Sequence, residues 1–123
     1  MDQKESAVTF LKMAGSGDVR AAYDKFIAPN FIHHNQYFNG ERESLLKAME
    51  EAHKTNPNKS IEVKHVYQDG NTVITHSQVL RREPHAAPVA VVHIFRFENN
   101  RVVELWDLVQ EMPKDSPNEN GAF

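Results

Sequence analysis

Asp107 lies in the middle of RVVELWDLVQEMP, residues 101–113, a stretch whose alternation marks a strand with Val103, Leu105 and Val109 on the same face. An isolated ionised carboxylate among such neighbours is costly, so an Asp here is paired, protonated, or at the wall of a wet cavity. The first reading is that it serves as an acid or base in proton transfer; the second is that it is a structural carboxylate satisfied by backbone amides or an Arg. His93, on the preceding strand, is the natural companion, because an imidazole beside a carboxylate can share or relay a proton near neutral pH. Phe95 and Leu105 flank the pair on the same face and are the expected apolar contacts for a substrate. His34 and Asn35 in FIHHN, together with His76 in mid-strand, are the expected polar ones.

Other chemistries find less support. Seven histidines raise the question of a metal, but neither a His-Glu-x-x-His helix nor a His-x-His strand with a later Glu occurs, so no metal site is expected. Ser16 in GSG ends a helix instead of forming a strand-to-helix elbow, which makes it a poor nucleophile site. No phosphate loop or dinucleotide fingerprint is present, and no cofactor is expected. His53 and His85 are expected at the surface.

These side chains must be positioned by a small framework. With 123 residues the chain has room for one core. Its 14 Lys and Arg against 17 Asp and Glu give a net charge of −3, with no basic stripe, which argues against nucleic acid as a partner. The absence of cysteine excludes disulfides, thiol catalysis and Cys-ligated zinc. MDQKES has neither the basic start nor the apolar run of a signal peptide, and no stretch is long enough to span a membrane, so a cytoplasmic protein is expected.

Apolar residues recur with helical spacing at Ala7, Phe10, Leu11 and Ala14 until Gly15 or Gly17. They recur again from Val19 to Ile27 before Pro29, and at Leu45, Met49 and Ala52 after a cap at Asn39 or Gly40. From Ser60 the period drops to two, and DGN at 69–71 marks a hairpin. A third strand starts near Pro88 and a fourth ends near Met112. The expectation is an α+β domain over residues 1–112, three helices closing one side of a four-stranded antiparallel meander, with a polar, Pro-broken tail at 113–123.

The last hairpin allows a test of register. A regular two-residue turn at Asn99–Asn100 would set Glu104 beside Phe95 and Arg96 beside Val103. A three-residue loop, with Asn100 left-handed and a bulge after it, puts Arg96 and Glu104 together on the outer face and brings His93 diagonally near Asp107. Trp106 then belongs to the outer face.

ELWDLVQ, the His fourteen residues before its Asp, and FIHHN between the second and third helices resemble the polyketide-cyclase-like, SnoaL-like branch of the NTF2-like superfamily, over about residues 5–112. Leu105 stands where relatives often carry a His, and HNQ where many have His-Asn-Pro. The resemblance implies a cone-shaped α+β barrel in which a strongly bent sheet wraps a long helix around a pocket. It also implies acid/base work for Asp107, with His93 in the same pocket. The activity expected is a cofactor-independent proton transfer on a small apolar carbonyl compound: aldol cyclisation, isomerisation or dehydration. The alternative is a non-catalytic ligand-binding or dimerisation module, and a weaker third is hydrolysis by activated water. The family also implies a homodimer through the outer sheet face, where Val92, Ile94, Trp106 and Leu108 are exposed together.

Overall fold

The structure, a computed structural model, describes residues 1–57, 59–81 and 87–123. His85 lies outside them. Helix α1 (Gln3–Gly15) starts at Asp2, whose side chain accepts the Glu5 amide at 2.8 Å. It stops before Gly17, which takes φ +100°, and the His53 ring occupies the space that a Cβ there would need. His53, expected at the surface, is therefore half-buried. Helix α2 (Val19–Phe26) buries Val19, Ala22, Tyr23 and Phe26 on one side, and α3 (Arg42–Thr55) is capped by Glu41, not by Asn39 or Gly40, through the Ser44 amide.

The expected continuation of α2 to Pro29 gives way to a strand, β1 (Ile27–His33), so the sheet has five strands where four were read. Ile27 and Phe31, which fit a helical stripe, are equally good strand residues, and the parallel pairing with the last strand decides between them. Pro29 is tolerated because β1 is an edge strand and its register slips between Ile27 and Ile32. Strands β2 (Ser60–Asp69), β3 (Thr72–Leu80), β4 (Val89–Glu98) and β5 (Arg101–Glu111) pair antiparallel, giving the order β1-β5-β4-β3-β2 in a curved sheet.

The β4–β5 turn departs from the expected loop. Glu98 pairs with Arg101 across a two-residue turn, and the left-handed residue is Asn99 (φ 56°), not Asn100. The register then slips between Arg96 and Phe97, so that Phe97 faces Val102 while Arg96 faces Glu104. The bulge lets both Val102 and Val103 point inward, and it restores the face assignment that the apolar pattern demands. His93 and Asp107 become direct cross-strand partners instead of diagonal ones.

The helices cover the inner face. Phe10, Tyr23, Phe31, Leu46, Val73, Phe95, Phe97 and Val102 form the centre of the core, with Phe10 set edge-on to Phe95 at 6.1 Å. After β5 the chain runs without helix or strand, and Phe123 comes to rest against His76 on the outer face of β3. Among the described residues, no helix is long and apolar enough to cross a membrane.

Candidate active site

Thr75, His93 and Asp107 form a row across β3, β4 and β5, all on the face turned toward the helices. Asp107 and His93 line a cavity of about 180 Å³ with Asn35, Phe10, Leu11, Phe38, Leu45, Ala48, Met49, Ala52 and Leu105. Carbon dominates this wall, and the polar groups converge on one end of it.

Strand alternation decides which part of FIHHN reaches the cavity. His34 and Asn35 follow the end of β1, and the phase in which the chain leaves that strand turns them to opposite sides. The backbone amide of His34 donates to the Leu105 carbonyl, which fixes the register, and the Asn35 side chain turns inward to donate from Nδ2 to Asp107 Oδ2 at 2.9 Å. Asn35 Oδ1 accepts the Tyr37 amide at 3.0 Å, so the amide orientation is set by the network. His33, buried and absent from the expected residues, supports this turn. Its Nδ1 accepts the Asn35 amide at 3.1 Å while Nε2 donates to the Asn39 carbonyl at 2.6 Å, which specifies the Nε2–H tautomer.

His34 goes to the other face. Its Nε2 donates to Glu104 at 2.6 Å and its ring lies flat on Trp106, with centroids 4.6 Å apart. The hydrogen bonds from His34 and then Arg96 hold the Glu104 carboxyl below its ordinary range. His76 is likewise outside, stacked on His65 and set at a tilt to Phe123. Neither His34 nor His76 is brought to the cavity, contrary to the sequence expectation; for His76 the reason is the two-residue period of β3, and for His34 the phase in which the chain leaves β1. Phe95 is fully buried beneath the site, with its ring 5.8 Å from that of His93; it supports the imidazole instead of lining the cavity.

The sequence reading also missed Thr75 and Ser77, whose hydroxyls are buried on the inner face without hydrogen-bond partners, as is Nδ1 of His93. Unpaired buried polar atoms are uncommon and cost about 1–3 kcal/mol each; of these residues His93 lines the cavity, while Thr75 and Ser77 lie buried behind its wall. The only sequence signal for the hydroxyls was their inward phase in THSQV, which reads equally well as small-residue packing. Among the described residues, no group of three or more His, Asp or Glu could hold a metal.

Burial pushes the His93 imidazole down to about 4, with the Asp107 charge pulling it partly back up. The ring is therefore neutral at pH 7 and offers one N–H donor and one acceptor. The folded value lies below that of the unfolded chain, which thus binds more protons between about pH 6.5 and the folded value. This contribution to stability is full above the unfolded pKa and is lost as pH falls through the folded one. Relative to His93→Gln, which does not titrate there, the parent should lose on the order of 2–3 kcal/mol more between neutral pH and about pH 4. Urea melts across that range measure the gap; a constant gap would mean that the imidazole titrates as if free.

A family model for SnoaL-like domains matches residues 7–105. No protein of curated function gives a significant match. Among solved structures, IdmH from Streptomyces antibioticus, provisionally assigned as a polyketide cyclase, is 19% identical with a TM-score of 0.73, over 89% of this chain and 93% of its own. AclR from Streptomyces galilaeus, provisionally a hydroxylase, is 21% identical with a TM-score of 0.71, over 91% and 83%. An NTF2-like protein of unknown function from Cytophaga hutchinsonii is 14% identical with a TM-score of 0.69, over 89% and 91%. At these identities the likeness establishes the NTF2-like fold and leaves the reaction to the site. The family match spans most of the chain, from α1 to the inward-facing Leu105 of β5: this protein belongs to the SnoaL-like family.

Proposed function

We propose that the protein is an enzyme that moves a proton next to the carbonyl of a small, mostly apolar compound, without a cofactor. The observation that carries this reading is the direct cross-strand pairing of Asp107 with a neutral His93 in a cavity walled by carbon. Asp107 takes the proton from the carbon α to the carbonyl. The electron pair moves onto the carbonyl oxygen, and the His93 N–H donates a hydrogen bond to the charge that develops there. Asn35 holds the carboxylate in place during the transfer and withdraws none of the apolar wall. Returning the proton elsewhere gives isomerisation, attack of the enolate on a second carbonyl gives aldol cyclisation, and loss of a β-hydroxyl gives dehydration. The provisional cyclase assignment of IdmH, which shares the fold, supports the same class of step.

The test is turnover of a panel of small β-keto and β-hydroxy carbonyl compounds, with exchange of the α-hydrogen for deuterium as the most direct readout. Exchange that depends on Asp107 supports the reading. No exchange with any member, alongside tight binding of the same compounds, would leave a ligand-binding module.

The assembly belongs to the same proposal. Leu108 is 57% exposed on the outer face, beside the half-buried Val92, Ile94 and Trp106, while Phe123 of the tail lies against His76 of β3 and Lys64 of β2. A homodimer through this face would cover that apolar area. Sedimentation at micromolar concentration should then give twice the 14.1 kDa chain mass, and Leu108→Glu should return it to monomer. A monomer in the parent protein would exclude the dimer.

A further inference from the structure

A second chamber, of about 150 Å³, adjoins the first. It is lined by Leu11, Ala14, Gly15, Met49, Ala52, Lys59, Ser60, Ile61, Val79 and His93. Leu11, Met49, Ala52 and His93 belong to both walls, so His93 stands where the two meet. Met49, unbranched and with three rotatable bonds, is a part of that boundary able to give way to a chain-like ligand. Together the chambers reach the lower end of the roughly 300–1,000 Å³ usual for small-molecule sites.

Among the described residues, Lys59 is the one charged residue lining the second chamber. It is half-buried, burial alone holds its amine below the ordinary value, and among the described residues it has no carboxylate partner. Several other basic side chains hold a carboxylate: Arg20 holds Glu50, Lys64 holds Glu62, and Arg96 holds Glu104. A partly desolvated ammonium at the wall of a carbon-lined chamber, with no carboxylate partner among the described residues, costs free energy that an anionic ligand would recover through a charge-assisted hydrogen bond.

We propose that this chamber is the acid-binding arm of the site: Lys59 receives the carboxylate of an aliphatic acid whose chain lies along Ile61, Val79 and Met49 and runs past His93 toward Asp107. The substrate class that follows is a medium-length carboxylic acid bearing its carbonyl several carbons from the carboxylate. This specification rests on the proton-transfer reading only for the carbonyl end; the acid-binding end stands on the Lys59 chamber alone.

Calorimetric titration with octanoate and with 1-octanol at neutral pH tests it. Octanoate should bind at least about tenfold more tightly than the alcohol. Lys59→Met should abolish that preference while Lys59→Arg retains it, with circular dichroism confirming that each variant is folded. Equal affinities in the parent protein, no binding of either probe, or a preference that survives Lys59→Met would each overturn the proposal. The two readings fail separately. If α-hydrogen exchange persists in Asp107→Asn while octanoate still requires Lys59, the catalytic reading falls and this one stands. If exchange requires Asp107 and octanoate ignores Lys59, the reverse holds.

Discussion

Asp107→Asn is expected to reduce turnover by at least about 10²-fold, the usual size of a lost acid/base contribution, while leaving the fold in place. The geometry explains why the two effects separate. Among the described residues the Asp107 side chain accepts one hydrogen bond, at 2.9 Å from the Asn35 amide, and an Asn at this position can still turn an oxygen toward that donor. What is removed is the charge and the ability to take a proton, not the shape. The stability change should stay within about 1 kcal/mol, the net worth of an ordinary hydrogen bond. A melting curve and an α-hydrogen exchange assay on the same preparation read both numbers. A loss of about 3 kcal/mol or more would assign Asp107 to a structural network, and the protein would then be better described as a ligand-binding module.

Phe95→Ala is expected to have the largest effect on stability, about 3–5 kcal/mol, within a total of roughly 5–15 kcal/mol for a domain of this kind. Phe95 is fully buried at the junction of helices and sheet. It contacts Phe10 edge-on, and its ring lies 6.5 Å from that of Phe97 and 5.8 Å from that of His93. Truncation leaves a void between rigid strands and α1, where collapse is difficult, so the transfer and cavity costs add. The same void removes the surface on which the His93 ring rests, and turnover should fall along with stability. Denaturant midpoints for the variant check the first effect. A loss below about 1 kcal/mol would mean that the core repacks and that Phe95 does not hold the imidazole.

The limits of the sequence are visible in particular residues. Helix spacing at Phe10, Leu11, Tyr23 and Met49 and strand alternation from Ile61 to Val109 were enough for an α+β layout, because burying one face of each element imposes its own period on the chain. The conflict between Arg96, Glu104 and their apolar neighbours was enough to reject a regular two-residue hairpin, although the chain resolves it with a left-handed Asn99 and a bulge at Val102–Val103 instead of a longer loop. Asp107 stood out because its charge contradicts its apolar setting, and His93 because it shares that face.

Contacts between elements distant in sequence could not be read this way. Ile27–His33 carries apolar residues that satisfy a helix or a strand, and only pairing with β5 makes it a strand. That pairing in turn sets the phase of the two residues after it, sending Asn35 to Asp107 and His34 to Glu104 and Trp106. Lys59 gave no signal, and the inward phase of Thr75 and Ser77 was no more than small-residue packing would give, since a lysine before a strand and small hydroxyls within one are ordinary in sequence. The chain by itself determined its periodicities and one misplaced charge; the tertiary structure decided which polar groups face the interior without partners, because being unpartnered is a property of what surrounds a residue and not of the residue.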